Sequence, residues 1–330
     1  MPRVSVVLPF RDAAPTIQEA VQSVLDQGFS DLEVIAVDDG SSDASVARLD
    51  TIRDQRLRLL SNEGPAGIVG ALNAGLAAAS GEWILRMDAD DLSLPGRVEA
   101  QLEAGASGAD VVACGARLVD GCGDGMNRYV EWVNALQHPD EIAVSRFIEC
   151  PVIHPTAMMR RDRLEALGGY REVPWAEDHD LWLRMLEAGC RFEKVPGVHL
   201  LWRDSPRRLT RRDPRYDDRA RSRMRAHHLS RLPAVKQSGV VIAGAGPIGK
   251  RLARDLLEEG SKLRGFFEVS PRRIGQKIHG VEVVSAEQVA TRWRDAVLLG
   301  AVGLEGGREQ IRELAQAAGR REGADFWAVC

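Results

Sequence analysis

Cysteine is sparse in this chain. Five residues (Cys114, Cys122, Cys150, Cys190 and Cys330) are scattered through 330, odd in number and without a CxxC pair. That set suits neither a disulfide framework nor a zinc cage, and it fits reduced thiols in the cytoplasm. Long apolar runs are also missing: none approaches the ~18–20 residues that a membrane span requires. Met1-Pro2-Arg3-Val4 leads straight into a strand pattern, so no signal peptide is visible. Aromatic residues make up only 5% of the chain. No basic patch interleaved with aromatics and no nucleic-acid module can be read, which argues against a nucleic-acid partner. What remains, 44% apolar and 28% charged, is the composition of an ordinary globular protein. The length predicts two domains.

The net charge of −4 conceals an asymmetry. Residues 1–202 carry 18 Lys/Arg against 32 Asp/Glu, net −14. Residues 203–236 carry 12 against 4, net +8, and residues 237–330 carry 14 against 12, net +2. An acidic domain (1–202), a basic helical linker (203–236) and a near-neutral domain (237–330) are therefore expected.

The first domain reads as alternating strands and helices. Val4–Leu8 and Leu32–Val37 are buried-strand runs. Between them Ile17, Ala20, Val21, Val24 and Leu25 share one helix face, with Thr16 as a candidate N-cap and Gln27-Gly28 at the end. Ile68–Ala79 predicts a helix, while Glu82–Met87 and Asp110–Ala113 predict further strands. The pattern specifies an α/β fold with a mostly parallel sheet. The linker holds eleven arginines between 203 and 231, with Pro206, Pro214 and Pro233 around them. Beyond it, Gly239–Ala243, a helix through Leu257 and Leu263–Phe267 outline a smaller α/β unit.

Three acidic clusters carry the chemistry. Asp38-Asp39 closes a strand, where open α/β sheets bind ligands, although a solvated turn would use the same residues. Asp88, Asp90 and Asp91 leave an apolar strand within four residues. Three carboxylates that close repel one another unless a cation neutralises them, and hard oxygen ligands suit Mn²⁺ or Mg²⁺. Glu177-Asp178 opens a helix whose positive end stabilises a carboxylate, as a plain N-cap or as a general base.

In order, Val4-Ser5-Val6-Val7-Leu8-Pro9, Val37-Asp38-Asp39-Gly40-Ser41-Ser42-Asp43, Gly81-Glu82-Trp83-Ile84 through Met87-Asp88-Ala89-Asp90-Asp91, and Glu177-Asp178 resemble family 2 glycosyltransferases of the GT-A fold. Asn73-Ala74-Gly75, Pro95-Gly96-Arg97, His154-Pro155-Thr156 with Met158, and Gly168-Gly169-Tyr170 add to the resemblance, which covers roughly residues 3–202. It implies a GT-A nucleotide-diphospho-sugar transferase-like domain performing a metal-dependent, inverting transfer from a nucleotide-diphosphate sugar to a hydroxyl. Polysaccharide or glycolipid synthesis follows as the setting, with a glycan or lipid-linked acceptor. On that resemblance Pro9 and Arg11 line the base slot and Asp39 contacts the base or ribose. Asp88 and Asp90 are the DxD pair, with Asp91 beside them on the Mn²⁺ or Mg²⁺, and Asp178 is the base. His154, Glu177 and Trp182 lie toward the acceptor. Arg11 stands where relatives often carry an aromatic, so the donor's nucleotide is left open.

In the smaller unit, Gly244, Gly246 and Gly249 follow a strand and open a helix, and Glu268 closes the next strand. This matches the dinucleotide fingerprint of a Rossmann-like domain, with NAD or a nucleotide sugar as ligand, or a fold used only for packing. The arginines of 203–231 steer an anionic donor, pair with nearby acids or touch an acidic lipid surface. Those options place the protein in the cytoplasm, with peripheral contact to the inner face of the membrane left open. The rival readings are a sugar nucleotidyltransferase, a non-catalytic nucleotide-sensing module, and a bifunctional enzyme whose NAD-linked C-terminal unit modifies the sugar.

Overall fold

The computed structural model describes residues 1–119, 123–204 and 208–330. Cys122 and Pro206 lie outside the described residues. In chain order the elements are β1 (Val4–Phe10), α1 (Ile17–Leu25), β2 (Leu32–Asp38), α2 (Ser45–Leu49), β3 (Leu57–Ser61), α3 (Ile68–Ala78), β4 (Trp83–Arg86), β5 (Leu92–Ser93), α4 (Arg97–Gly105), β6 (Val111–Val119), α5 (Asp124–Ala135), α6 (Pro139–Ser145), β7 (Met158–Arg160), α7 (Arg161–Ala166), α8 (Glu177–Glu187) and β8 (Phe192–Arg203). The chain continues through α9 (Leu209–Arg212), α10 (Asp218–Arg231), α11 (Pro233–Ser238), β9 (Val240–Ala243), α12 (Pro247–Glu258), β10 (Leu263–Glu268), β11 (Lys277–Ile278), β12 (Val281–Ser285), β13 (Val297–Gly300), α13 (Gly307–Ala317) and β14 (Phe326–Ala328). Among the described residues no helix is long and apolar enough to cross a membrane.

Two compact units result. The first comprises Met1–Ile142, Pro151–Val173 and Glu177–Arg208, and the second Ala143–Cys150, Pro174–Ala176 and Leu209–Cys330. The basic stretch expected to link two domains is thus divided at Arg208. From Leu209 onward it belongs to the second unit, where α10 buries Ala220, Met224, Ala226 and Leu229.

The first unit is built on an eight-stranded sheet of order β3-β2-β1-β4-β7-β6-β8-β5. Strands β1 to β4 are mutually parallel, β7 runs antiparallel to both neighbours, and β6 and β8 are parallel. All seven residues of β1 are buried, as a central strand covered on both faces requires. One side of the sheet packs Ile17, Val21 and Val24 of α1 with Val98 and Leu102 of α4; elsewhere Ile35 and Val37 of β2 pack on Ala71 of α3. The expected Thr16 cap does not form: its hydroxyl donates to the Ala13 carbonyl, 3.4 Å away, and makes no bond to the helix start. The connection order reverses at β1, which lies between β2 and β4. In such sheets the crevice at that point opens at the carboxyl ends of the strands.

The second unit carries a six-stranded sheet of order β11-β12-β10-β9-β13-β14, parallel except for β11. Its five parallel strands follow the 3-2-1-4-5 order of open nucleotide-binding sheets. The glycines after β9 have separate geometric reasons. Gly244 has φ +110°, and a Cβ on Gly249 would stand 1.9 Å from the Gly244 carbonyl oxygen, so α12 can start only where that side chain is absent.

Candidate functional site

Strand register brings the first two acidic clusters to one rim of the sheet. Phe10 pairs with Asp38 on one side of β1 and Val7 with Arg86 on the other. Asp39 and Asp88 therefore leave strands flanking β1, at the same end of the sheet. With neighbouring strands about 4.8 Å apart, these two strand ends lie about 10 Å from each other. Pro9 is buried in β1 and Arg11, just beyond it, is exposed. The Asp39 carboxylate accepts from Asn62 Nδ2 (2.7 Å) and the Gly67 N–H (2.9 Å), which fixes its orientation. Asp12, at φ +51°, accepts from the Ser42 N–H (2.7 Å) and joins the loops after β1 and β2.

One carboxylate oxygen from each of Asp88, Asp90 and Asp91 lies within 4.8 Å of the others. Asp91 is fully buried. Its Oδ1 accepts from the Arg203 N–H (2.9 Å), while its Oδ2 has no hydrogen-bond partner. A buried, unpartnered carboxylate oxygen beside two other carboxylates is costly on its own and is what a divalent cation satisfies. The donor set is all oxygen, so the residues present fit Mn²⁺ or Mg²⁺. Burial, then the Asp88 charge, raises Asp90 to about 6 against the opposing pull of Arg208. Burial and both neighbours push Asp91 well above the ordinary carboxylate range. Arg86 is ion-paired with Asp88 and its side chain is only 5% exposed. Burial would lower its pKa, but Asp88 outweighs that and holds the guanidinium charged.

Asp178 stands in the first turn of α8, where Glu177, Asp178 and Asp180 crowd the positive helix end. It is part-buried and accepts from the His179 N–H (2.7 Å). Burial, then the Glu177 charge, raises it to about 7, and the Arg86 charge opposes the rise. Arg86 thus acts electrostatically on both the aspartate triad and Asp178, so all four lie in the field of one buried guanidinium. Arg184, paired with Asp180 at 2.7 Å, also donates to the Gly169 carbonyl at 2.9 Å. Asn73 clamps both backbone groups of Tyr170. These contacts explain the Asn73-Ala74-Gly75 and Gly168-Gly169-Tyr170 motifs as supports for the α8 side of the site.

Two acceptor-side expectations need correction. Trp182 is 0% exposed, donates its Nε1–H to the Val152 carbonyl (3.2 Å) and stacks edge-on against His154 and Phe192. A side chain with no open surface cannot meet an acceptor, so it braces the site from within. His154 is also buried and shares a 2.8 Å hydrogen bond with the Tyr170 hydroxyl; burial holds it neutral. Glu177 is 4% exposed and acts on Asp178 through its charge.

Sequence patterning missed Arg86, Arg203 and Arg208. Arg203 donates from Nη1 to the Asp90 carbonyl (3.1 Å), and Arg208 stacks on Trp202 at 4.1 Å while its charge acts on Asp90 and Asp91. The signal for Arg86 was available: a charge inside the apolar strand Trp83–Met87 must have a buried partner. Arg203 and Arg208 were hidden inside an arginine-rich stretch that read as uniform.

In the second unit, Gly246 has nothing within 4 Å of the place a Cβ would take, which leaves that part of the loop open. Glu268 is occupied by its own protein. Its carboxylate accepts from the N–H groups of Ala245 (3.1 Å), Val269 (2.9 Å) and Ser270 (3.0 Å), and it pairs with Arg273 (3.1 Å). Those bonds outweigh burial and keep it ionised. The free carboxylate expected for the ribose of NAD is therefore not on offer.

A mostly parallel α/β sheet with an acidic rim at its switch point defines a nucleotide-sugar transferase type of fold, and comparison with known proteins bears this out. The model of glycosyl transferase family 2 matches residues 5–168. The putative glycosyltransferase EpsE of Bacillus subtilis is 32% identical over 198 residues, covering 58% of this chain and 69% of its own. An uncharacterized glycosyltransferase of Haemophilus influenzae is 31% identical over 200 residues, covering 57% of this chain. The present chain spans 62% of that relative's length. Among solved structures, the mannosyltransferase PcManGT of Pyrobaculum calidifontis, in complex with GDP-Man and Mn²⁺, superposes with a TM-score of 0.51 at 25% identity. The match covers 69% of this chain and 62% of that one. The chain belongs to glycosyl transferase family 2.

Proposed function

We propose that the first unit transfers a sugar from a nucleoside-diphosphate sugar to an acceptor hydroxyl with inversion, in the synthesis of a polysaccharide or glycolipid. The observation that carries this reading is the aspartate triad and a raised, part-buried Asp178 within the field of one guanidinium. Asp39, Pro9 and Arg11 receive the nucleoside at the β1–β2 rim. Asp90 and Asp91, with Asp88 beside them, would hold Mn²⁺ or Mg²⁺, whose chemistry when bound is to neutralise diphosphate oxygens. Asp178 takes the proton of the acceptor hydroxyl as its oxygen bonds to the anomeric carbon. The bond from that carbon to the diphosphate breaks, and its electron pair leaves with the nucleotide. Arg208 faces the negative charge that gathers there. Binding of GDP-Man and Mn²⁺ by the Pyrobaculum mannosyltransferase supports the donor class and the ion.

The test is nucleotide release from GDP-mannose, UDP-glucose and UDP-N-acetylglucosamine with Mn²⁺, together with NMR of the product's anomeric proton. Asp178→Asn abolishes transfer and leaves the thermal shift caused by donor and Mn²⁺ intact. A retained anomeric configuration, or transfer by Asp178→Asn at the wild-type rate, sinks the reading.

For the second unit we propose a nucleotide ligand at Gly244, Gly246 and Gly249, in which the open Gly246 admits a diphosphate. NAD is disfavoured because Glu268 is already bonded. Gly246→Asp in the full chain should remove stabilisation by that nucleotide; if UDP, GDP, ADP and NAD all leave the melting temperature of the wild type unmoved, the unit is a packing domain.

A further inference from the structure

An inverting transfer needs the acceptor hydroxyl held in line with the donor, and the buried Trp182 cannot do this. Among the described tryptophans and tyrosines of the first unit, Trp83, Trp182, Trp202 and Tyr170 are each at most 6% exposed. Only Tyr129 and Trp132, both on α5, keep part of their surface open. In a chain with 3 tyrosines and 7 tryptophans, two such residues on one helix face, one turn apart, form a localised feature.

We infer that Tyr129 and Trp132, backed by Trp202, form the platform on which the sugar ring of the acceptor stacks. The inference rests on the glycosyl-transfer reading and names the acceptor's chemistry within it. A continuous path of contacts joins the platform to the triad. The Tyr129 ring lies 6.2 Å from Trp132 and 6.3 Å from Trp202. Arg208 stacks on Trp202 at 4.1 Å and donates to the Arg203 carbonyl (3.0 Å), and the Arg203 N–H bonds Asp91 (2.9 Å). Trp202 is 6% exposed with its indole N–H enclosed, so it supports the two rings from behind and leaves the ligand-facing surface to them.

The chemistry favours a sugar ring over a lipid tail. The rim is charged, with exposed Arg128 and Glu131 on α5 and part-buried Arg208, so an alkyl chain would desolvate charges to lie there. A pyranose puts its axial C–H groups on an aromatic face and its hydroxyls toward such a rim, the arrangement of few polar groups around an apolar floor that small-molecule sites use.

The test uses the full chain with Mn²⁺ and a donor it turns over. The probes are p-nitrophenyl β-glucoside, β-galactoside and N-acetyl-β-glucosaminide, followed by saturation-transfer NMR and as acceptors. Tyr129→Ala and Trp132→Ala weaken glycoside binding about three- to tenfold, the loss of one aromatic contact. They raise the acceptor KM by the same factor without changing the donor KM. Trp132→Phe, which keeps a ring face, restores most of the affinity. If Trp132→Ala does not fold, Trp132→Leu keeps the bulk without the face and takes its place. Wild-type glycoside affinity in these variants overturns the platform, as does an equal rise in both KM values. Binding of decyl phosphate in place of every glycoside also overturns it. Failure of the wild type to turn over any nucleotide sugar would instead sink the underlying reading, whatever the glycoside binding shows.

Discussion

Asp178 carries the most direct consequence of burial. Its value near 7 means that at pH 6 most of it is protonated and unable to accept a proton. Transfer, as kcat/KM, should rise with pH through about 7 and then level. An acid limb centred near 4 would show that Asp178 is not the base. The triad makes an opposite statement about stability. A carboxylate raised above its unfolded value favours the fold while protonated, and that contribution is lost as pH climbs through the folded value. Asp90 and Asp91 should therefore make the metal-free protein less stable at pH 8 than at pH 5. Asp91→Asn keeps an acceptor for the Arg203 N–H and removes the buried charge. We expect its melting temperature at pH 8, without metal, to rise by roughly 2–4 °C, the change that ~1 kcal/mol produces in a unit of this size. Its response to Mn²⁺ should disappear. A lower melting temperature in that variant would show that the charge is compensated by contacts other than those described.

At the scale of elements, the site is two pieces of secondary structure held by arginines. Arg184 joins α8 to the Gly168-Gly169 turn and neutralises Asp180, with side-chain exposures of 6% and 4%. Arg184→Met leaves the Asp180 carboxylate without its guanidinium and should cost about 3–5 kcal/mol in urea denaturation. The double variant with Asp180→Leu should recover most of the loss. Strands β1, β2 and β4 and helix α8 were legible because each carries a mostly apolar run or face, and acids stand at one end of β2, β4 and α8. The rim they form was legible too, since parallel strands deliver their ends to one side of a sheet. What patterning could not supply was the third dimension. Helical spacing sets Trp182 on the inward face of α8 with Leu181 and Met185, as their burial bears out, but not what it meets there, which is His154 and Phe192. The carboxylate of Glu268 matched a fingerprint by position, yet its partners Ala245 and Arg273 are a matter of loop conformation. The reversal of β7 between β4 and β6 had no signal in a three-residue strand.

At the scale of the molecule, chain order and spatial order diverge. The second unit contains Ala143–Cys150 and Pro174–Ala176, which lie in sequence inside the first. Phe147 is fully buried and meets the Trp327 ring edge-on at 5.2 Å, and Arg146 stacks on the same indole at 4.4 Å. Arg225 also donates to the Ile148 carbonyl. A boundary at residue 202, as composition suggested, cuts all of these contacts, and one at 236 cuts the two to Trp327. A fragment of residues 1–236 would expose Phe147 and should elute from size exclusion as aggregates, whereas the full chain gives a discrete species. A monodisperse fragment would show that the segment refolds onto the first unit. The same interleaving has a consequence during synthesis. Phe147 leaves the ribosome about 180 residues before the tryptophan that covers it. At ~5–20 residues per second that is roughly 10–40 s with a bare aromatic side chain on a nascent polypeptide. The second unit can finish only once Trp327 has been made, so a chaperone that shields hydrophobic segments has its natural target at residues 143–150.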